Sequence, residues 1–398
     1  MPTTTTAPSL RRARVAVALV FAVHGAVAGS FATRIPAVQH RLQLSPGQLG
    51  VALVMPALAA SIAMPLAGRI THRLGARAAL RLLLALYCLA LTLPAIAPGL
   101  PWLCLALALF GASAGMTDVA MNAEGVEVEQ RLGRSIMSGL HGMWSAGGLV
   151  ASVFGALAAR QHLDARVHLA LAAGVLLVIG QLVCTGLLDV RPQPQAEAPP
   201  RFALPPRSAV AIGLVGFCAV FAEGAGMDWS GVYLHDVTHA AAGTAAAGYT
   251  AFALTMTAAR LAGDAVVRRL GPVRTVRLGG AVATVGGVLV VLARTSALAI
   301  PGFALLGIGI AVVVALAFAA AGHAGPNPSL AIAGVATVTY TSGLVAPAIV
   351  GALAQATSLS VSFVLVTALA AALVVTAGAL RQDTRGAERA PVPTDARV

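Results

Sequence analysis

Apolar runs of about twenty residues recur along this chain, and no other feature restricts its fold as strongly. A helix of ~20 mostly apolar residues crosses the hydrocarbon core of a bilayer. Twelve such runs are read at 14–34, 48–68, 79–97, 101–124, 135–159, 167–188, 208–233, 243–263, 275–293, 297–320, 329–353 and 360–380. Inside lipid every backbone N–H and C=O must be satisfied within the protein, so spanning segments of this length are helices. The expected class is therefore an all-α integral membrane protein with twelve transmembrane helices.

Composition excludes the competing classes. Of 398 residues, 58% are hydrophobic and 10% charged, whereas a soluble domain carries about 25% charged residues. A soluble enzyme and a disordered chain are both excluded. All 26 basic residues are arginine. Without lysine there is no Schiff-base amine and no P-loop lysine, so Walker-type ATP hydrolysis is excluded. The net charge of +12 does not point to nucleic acid, because the arginines lie between the apolar runs. Cys88, Cys104, Cys184 and Cys218 fall inside those runs without a CxxC pair and read as packing residues.

The ends and the middle are polar. Residues 1–13 and 381–398 read as disordered termini. The Pro-rich stretch 189–207 reads as a cytoplasmic linker between a bundle at 14–188 and a second at 208–380. Ala26-Val27-Ala28 could imitate a signal-peptidase site, but the apolar character runs past it, and an uncleaved first helix is expected. With the N-terminus inside, 21 arginines fall on the inner side and five (Arg34, Arg41, Arg160, Arg166 and Arg294) on the outer side. The positive-inside rule then places both termini in the cytoplasm.

The two halves repeat. A shift of 196 residues lays RITHRLGARAALRL (69–82) over AVVRRLGPVRTVRL (265–278), matching Arg73 with Arg269 and Gly75 with Gly271. The same shift lays WSAGGLVASVFGAL (144–157) over YTSGLVAPAIVGAL (340–353), matching Gly155 with Gly351. Shared composition alone does not align arginines. Two pseudo-symmetric six-helix bundles are expected, with a substrate site between them near mid-membrane.

The segment Gly68-Arg69-Ile70-Thr71-His72-Arg73-Leu74-Gly75-Ala76-Arg77 resembles the loop signature G-x-x-x-D-R-x-G-R-K of major facilitator transporters, with His72 where the signature has Asp. SFATRIPAV (30–38), TDVAMNAEGVEVE (117–129), IMSGLHGMWSAGG (136–148) and EGAGMDWSGVYL (223–234) are similar to the YbjJ-like branch of the bacterial inner membrane, related to fucose permease-like transporters. The resemblance implies a multi-pass inner-membrane symporter, with sugar and protons as the transported partners and no cofactor. A monomer is expected. Proton-driven efflux of amphipathic compounds is the competing transport reading, because the spans are apolar and poor in aromatic residues. A non-transporting membrane sensor is a more distant one. No catalytic signature is present, so the chain does not read as an enzyme.

Ionisable groups at bilayer depth cost roughly 2.5 kcal/mol or more each, which makes them functional candidates. Asp118 lies deep in the fourth span, with Asn122 one turn on along the same face. It is the first proton-coupling candidate, and a structural carboxylate is the alternative. His141 in the fifth span sits at a matching depth, so it could share a proton with Asp118 or be a satisfied core histidine. Trp144, one turn from His141, offers a ring for sugar stacking or for packing. Glu223, near the centre of the seventh span, is the third proton-coupling candidate, with substrate contact as its other reading. Asn122, Trp144 and His24 are the substrate-cavity candidates, although a core role suits His24 better.

Gates are expected at both mouths. Arg34 closes the first span and Asp228 lies toward the outer end of the seventh, and these are the equivalent leading helices of the two halves, so a pairing across the outer mouth is expected in the inward-facing state. Asp228 and Trp229 are expected near the outer surface. Glu124 and Glu127, with Glu129 nearby, could form an inner latch with the loop arginines, among which Arg73 and Arg269 are the repeat-related pair. Solvated charges are the alternative at every one of these positions. His235 and His239 are spaced i, i+4, but without a third ligand no metal site is expected.

Overall fold

The computed structural model describes residues 7–133, 136–188, 207–321 and 328–381, and these residues are almost entirely helical. The first stretch forms α1 (Ala7–Ala32), α2 (Ile35–Leu42), α3 (Pro46–Leu74), α4 (Ala76–Ala90), α5 (Leu93–Ile96) and α6 (Leu100–Leu132). Then come α7 (Met137–Arg160) and α8 (Ala165–Val183), which ends in a 3-10 turn over Cys184–Gly186. The remainder forms α9 (Arg207–Asp236), α10 (Ala242–Leu270), α11 (Pro272–Leu292), α12 (Ser296–Ile310), α13 (Val313–Ala321), α14 (Pro328–Ala356) and α15 (Leu359–Thr376). Residues 7–13, expected to be disordered, belong to α1. The linker reading lies outside the described residues except at Arg207. The tail reading does so beyond Arg381.

Among the described residues, eleven segments are long and apolar enough to cross a membrane, one fewer than the sequence reading proposed. The exception is α10, the eighth of the twelve. It is long enough at 29 residues. Its Gly, Thr and Ala content, with Arg260 inside it, keeps it below the apolarity of the others. These features suit a helix that faces a protein interior rather than lipid.

Local chemistry sets the helix ends. Ser45 caps α3 with a reciprocal capping box to Gln48, which satisfies two otherwise unpaired donors of the first turn. Asp164 and Ser358 cap α8 and α15 through their side chains. Gly75 ends α3 at φ 80°, ψ 156°, and Gly271 ends α10 at φ 75°, ψ 163°. A residue with a Cβ rarely takes that conformation. The two glycines matched by the 196-residue shift thus make the same turn.

Helix pairing brings sequence-distant segments together. α1 packs on α7 and α8, α3 on α6, and α4 on α6 and α8. α9 packs on α14 and α15, while α11 packs on α12 and α15. The largest pairings that join the N-terminal set to the C-terminal set are α7 with α10 and α3 with α14, and α2 also meets α9 and α10. Lipid is as apolar as leucine, so such contacts are held by close packing and polar bonds rather than by the hydrophobic effect. Interior aromatic groups supply part of it. Tyr233, Phe303 and Phe363 meet edge to face at 5.2–5.9 Å between centroids, and the Tyr233 hydroxyl donates to the Val290 carbonyl.

Candidate functional site

Arg260 stands in the body of α10, ten residues before its last residue. Its Nη2 donates to Glu223 Oε1 of α9 at 2.8 Å, and its Nη1 to Ser145 Oγ of α7 at 3.3 Å. Its Nε donates to the Ala311 carbonyl at 3.2 Å, in the break between α12 and α13. One guanidinium therefore ties the N-terminal and C-terminal sets together. Trp144, Ser145, Glu223, Met227, Tyr249 and Arg260 line a narrow crevice between α7, α9 and α10. Tyr249 is 4% exposed, with its hydroxyl beside Gly148. Sequence reasoning placed Arg260 among the inner-side arginines, and the structure moves it into the site. The signal was available: an arginine inside the run 243–263.

The Trp144 indole N–H donates to His24 Nδ1 at 2.9 Å, and His24 Nε2 lies 3.2 Å from the Ala114 carbonyl. The imidazole connects α1, α6 and α7 and lies against the Tyr87 ring at 4.6 Å. His24 is 7% exposed. Of the two readings for His24, the structure gives the satisfied one. Trp144 still presents part of its surface to the crevice.

Asp118 and Asn122 share a face as expected. Asn122 Nδ2 donates to the Asp118 carbonyl at 2.9 Å and to Oδ1 at 3.2 Å. Asp118 is half-buried and interacts electrostatically with Tyr87, which also feels Tyr249. Tyr249 in turn lies within electrostatic range of Asp228, Glu223 and Arg260. His141 joins this chain of groups through Arg260 and not through Asp118. Its ring meets Phe21 edge to face at 5.4 Å and its charge interaction is with Arg260. No described hydrogen bond or ion pair joins it to Asp118, so the expected proton sharing is not seen. Equal depth on neighbouring helices did not ensure facing side chains.

The outer latch also needs correction. Arg34 is 3% exposed and its Nε donates to His168 Nδ1 of α8 at 3.0 Å. The side chain turns toward α8, away from α9, and among the described residues Asp228 makes no ion pair. Trp229 is fully buried within the protein. Other contacts close this end. Gln39 of α2 donates to Asp236 at 3.1 Å, and the Gly47 N–H to Gln355 Oε1 at 3.4 Å. Gly50 and Gly351 let α3 and α14 touch: a Cβ on Gly351 would sit 2.7 Å from the Pro46 carbonyl oxygen and 2.8 Å from the Gly50 Cα.

The inner glutamates bond within the first set of helices. Glu124, 3% exposed, accepts the Leu188 N–H at 2.7 Å. Glu127 pairs with Arg131 of its own helix at 2.7 Å. Glu129 accepts the Ile136 and Met137 N–H groups at 2.6 and 3.0 Å, capping α7. None of these bonds reaches the second set, so the latch reading of Glu124 and Glu127 is not met in this conformation. Arg73 and Arg269 are both exposed, one residue before the ends of α3 and α10.

Residues 17–333 match the Major Facilitator Superfamily. An uncharacterized transporter of Sinorhizobium fredii is 34% identical, with 92% of this chain and 97% of that protein covered. An uncharacterized MFS-type transporter of Yersinia pestis is 35% identical, with 94% and 96% covered. Among solved structures, the nucleoside transporter NupG superposes with a TM-score of 0.75 at 13% identity, covering 92% of this chain and 98% of that one. A bacterial homolog of the human lysosomal transporter Spinster, in its inward-facing and occupied conformation, gives 0.71 at 12% identity, covering 94% and 97%. At these identities the structures speak for the fold alone.

Proposed function

Because the chain belongs to the Major Facilitator Superfamily, and is thereby a secondary-active transporter of small molecules in the bacterial inner membrane and not an enzyme, we propose that it couples uptake of a small polar solute such as a sugar to protons by alternating access. In this reading α10 also spans, as the eighth of twelve, residues 14–188 and 208–380 are the two bundles, and both termini are cytoplasmic. The α2 end is then the periplasmic mouth, closed in this conformation. Kinship to the YbjJ-like, fucose permease-related branch is part of the same reading.

The observation that carries it is the Arg260 junction. A guanidinium bonded to Glu223 on one side and Ser145 on the other joins the two sets beside a crevice. Charged groups at bilayer depth are costly and mark substrate or ion pathways. Glu223 held by Arg260 can exchange that partner for a proton as the halves separate. Asp118, with Asn122 as its only hydrogen-bond partner among the described residues, is the second proton carrier. Asn122 and the Trp144 ring contact the solute, one by hydrogen bonds and the other by stacking.

Purified protein in liposomes tests this directly. A thermal-shift screen of sugars, sugar acids and drugs selects solutes for flux assays under an imposed pH gradient. Uptake driven by an inward proton gradient is expected. Asp118→Asn is expected to abolish that drive while leaving solute counterflow. Wild-type gradient-driven uptake in Asp118→Asn overturns the proton role. Met227, Phe252 and Met256 make part of the crevice apolar, which favours drug efflux as the second reading. Export of amphipathic hits with no uptake of polar ones would select it.

A further inference from the structure

A second recess lies away from the central crevice, where the start of α1 meets the end of α8. It is an open groove of about 880 Å3, with walls that include Val15, Leu19, Leu182 and Val183 and with Arg11 and Arg12 at its polar end. Val15 is 59% and Leu182 66% exposed, so the protein itself does not cover the apolar wall. Neither arginine makes a hydrogen bond or ion pair with a described residue. Arg12 is nonetheless placed: a Cβ on Gly186 would come 3.4 Å from its Cγ, so its stem lies along the 3-10 turn that closes the groove.

The position decides the chemistry. The spanning segment that contains α1 begins at Leu10. Arg11 and Arg12 directly precede the apolar run read at 14–34, the place where a spanning helix meets the headgroups, and Val15 and Leu19 follow them about one and two turns further along the helix. A guanidinium binds a phosphate oxygen pair in a bidentate way and keeps its charge at any depth near the interface. Two cations that pair with no carboxylate among the described residues sit beside an apolar channel. Their complement is one molecule with a negative phosphate at one end and a hydrocarbon chain below it.

We propose that this groove is a binding site for an anionic glycerophospholipid, with its phosphate on Arg11 and Arg12 and an acyl chain against Val15, Leu19, Leu182 and Val183. The site shares no residue with the transport crevice and stands whether or not the solute is a sugar.

Native mass spectrometry of the full chain with equal amounts of phosphatidylglycerol and phosphatidylcholine tests it, with parallel thermal-shift measurements. Retention of phosphatidylglycerol is expected to exceed that of phosphatidylcholine. Arg11→Gln with Arg12→Gln is expected to lower it by about 30-fold, roughly fivefold for each arginine. Leu182→Trp, which fills the channel without changing charge, is expected to weaken it as well. Arg14→Gln, at an exposed arginine outside the groove, is the control and should leave the preference in place. Equal retention of the two lipids overturns the proposal. So does a loss with Arg14→Gln as large as with the Arg11 and Arg12 pair, which would mean a general surface charge. Stabilisation by inorganic phosphate alone that matches the lipid would make this a soluble-anion site and would also overturn it.

Discussion

Trp144 gives its indole proton to His24, and that bond assigns the histidine's own proton to the far nitrogen. With Nδ1 accepting at 2.9 Å, the ring hydrogen sits on Nε2 and points at the Ala114 carbonyl 3.2 Å away. Three helices are thereby tied by one neutral ring. The tryptophan thus has two separable duties, holding His24 with its edge and meeting the crevice with its face.

Those duties predict different outcomes for two substitutions. Trp144→Phe keeps an aromatic face but strands a buried acceptor, which costs about 1–2 kcal/mol. Its melting temperature in detergent should fall, while the KM for the transported solute stays near wild type. Trp144→Ala should lower the melting temperature further and raise KM. Equal KM values for Phe and Ala would show that the ring does not meet the solute.

Arg260 and Glu223 should behave as a pair. Arg260→Gln leaves the carboxylate with no cation and removes the bond to Ser145, a loss of about 1–3 kcal/mol for a charged hydrogen bond in a partly wet site. Adding Glu223→Gln should recover most of that stability, because the unpaired charge is gone. Transport should stay absent in the single and the double variant. Recovery of gradient-driven transport in the double variant would place coupling elsewhere.

The contact between Gly50 and Gly351 should be needed to close the α2 end. Gly351→Val puts methyl groups where the Pro46 carbonyl and the Gly50 Cα now stand. The end should then remain open. A reporter thiol at Met227→Cys should react several-fold faster with an impermeant reagent added to that side of the membrane, against the Met227→Cys parent as reference. Unchanged labelling would show that the helices close by another route.

Arg34 and Asp228 should not rescue each other. Their side chains leave for different neighbours, Arg34 for His168. Exchanging the charges, Arg34→Asp with Asp228→Arg, is expected to leave transport as low as in the worse single variant. Arg34→Met, which removes a buried guanidinium whose Nη2 has no partner, should change stability by less than about 1 kcal/mol. Rescue by the exchange would restore the latch.

Quantities that depend on one helix at a time were readable without coordinates. Hydrophobic length marked eleven of the spanning segments, because a bilayer asks only for ~20 apolar residues. Gly75 and Gly271 were aligned by sequence alone and make the same turn. Asp118 and Asn122 were matched because i, i+4 geometry is internal to one helix. What depends on how helices face one another was not readable. Equal depth did not make His141 face Asp118, since depth along an axis says nothing about rotation around it. Arg34 and Asp228 satisfied an end-to-end symmetry argument, yet the side chain of Arg34 turns to α8. Arg260 was visible as a letter within an apolar run, but its role needed α7, α9 and the α12–α13 break to converge on one guanidinium. Sequence determined the membrane class, the segments and their local turns, because those follow from transfer free energy and backbone geometry. Tertiary structure alone decided the partners, because pairing is set by helix rotation and packing across residues far apart in the chain.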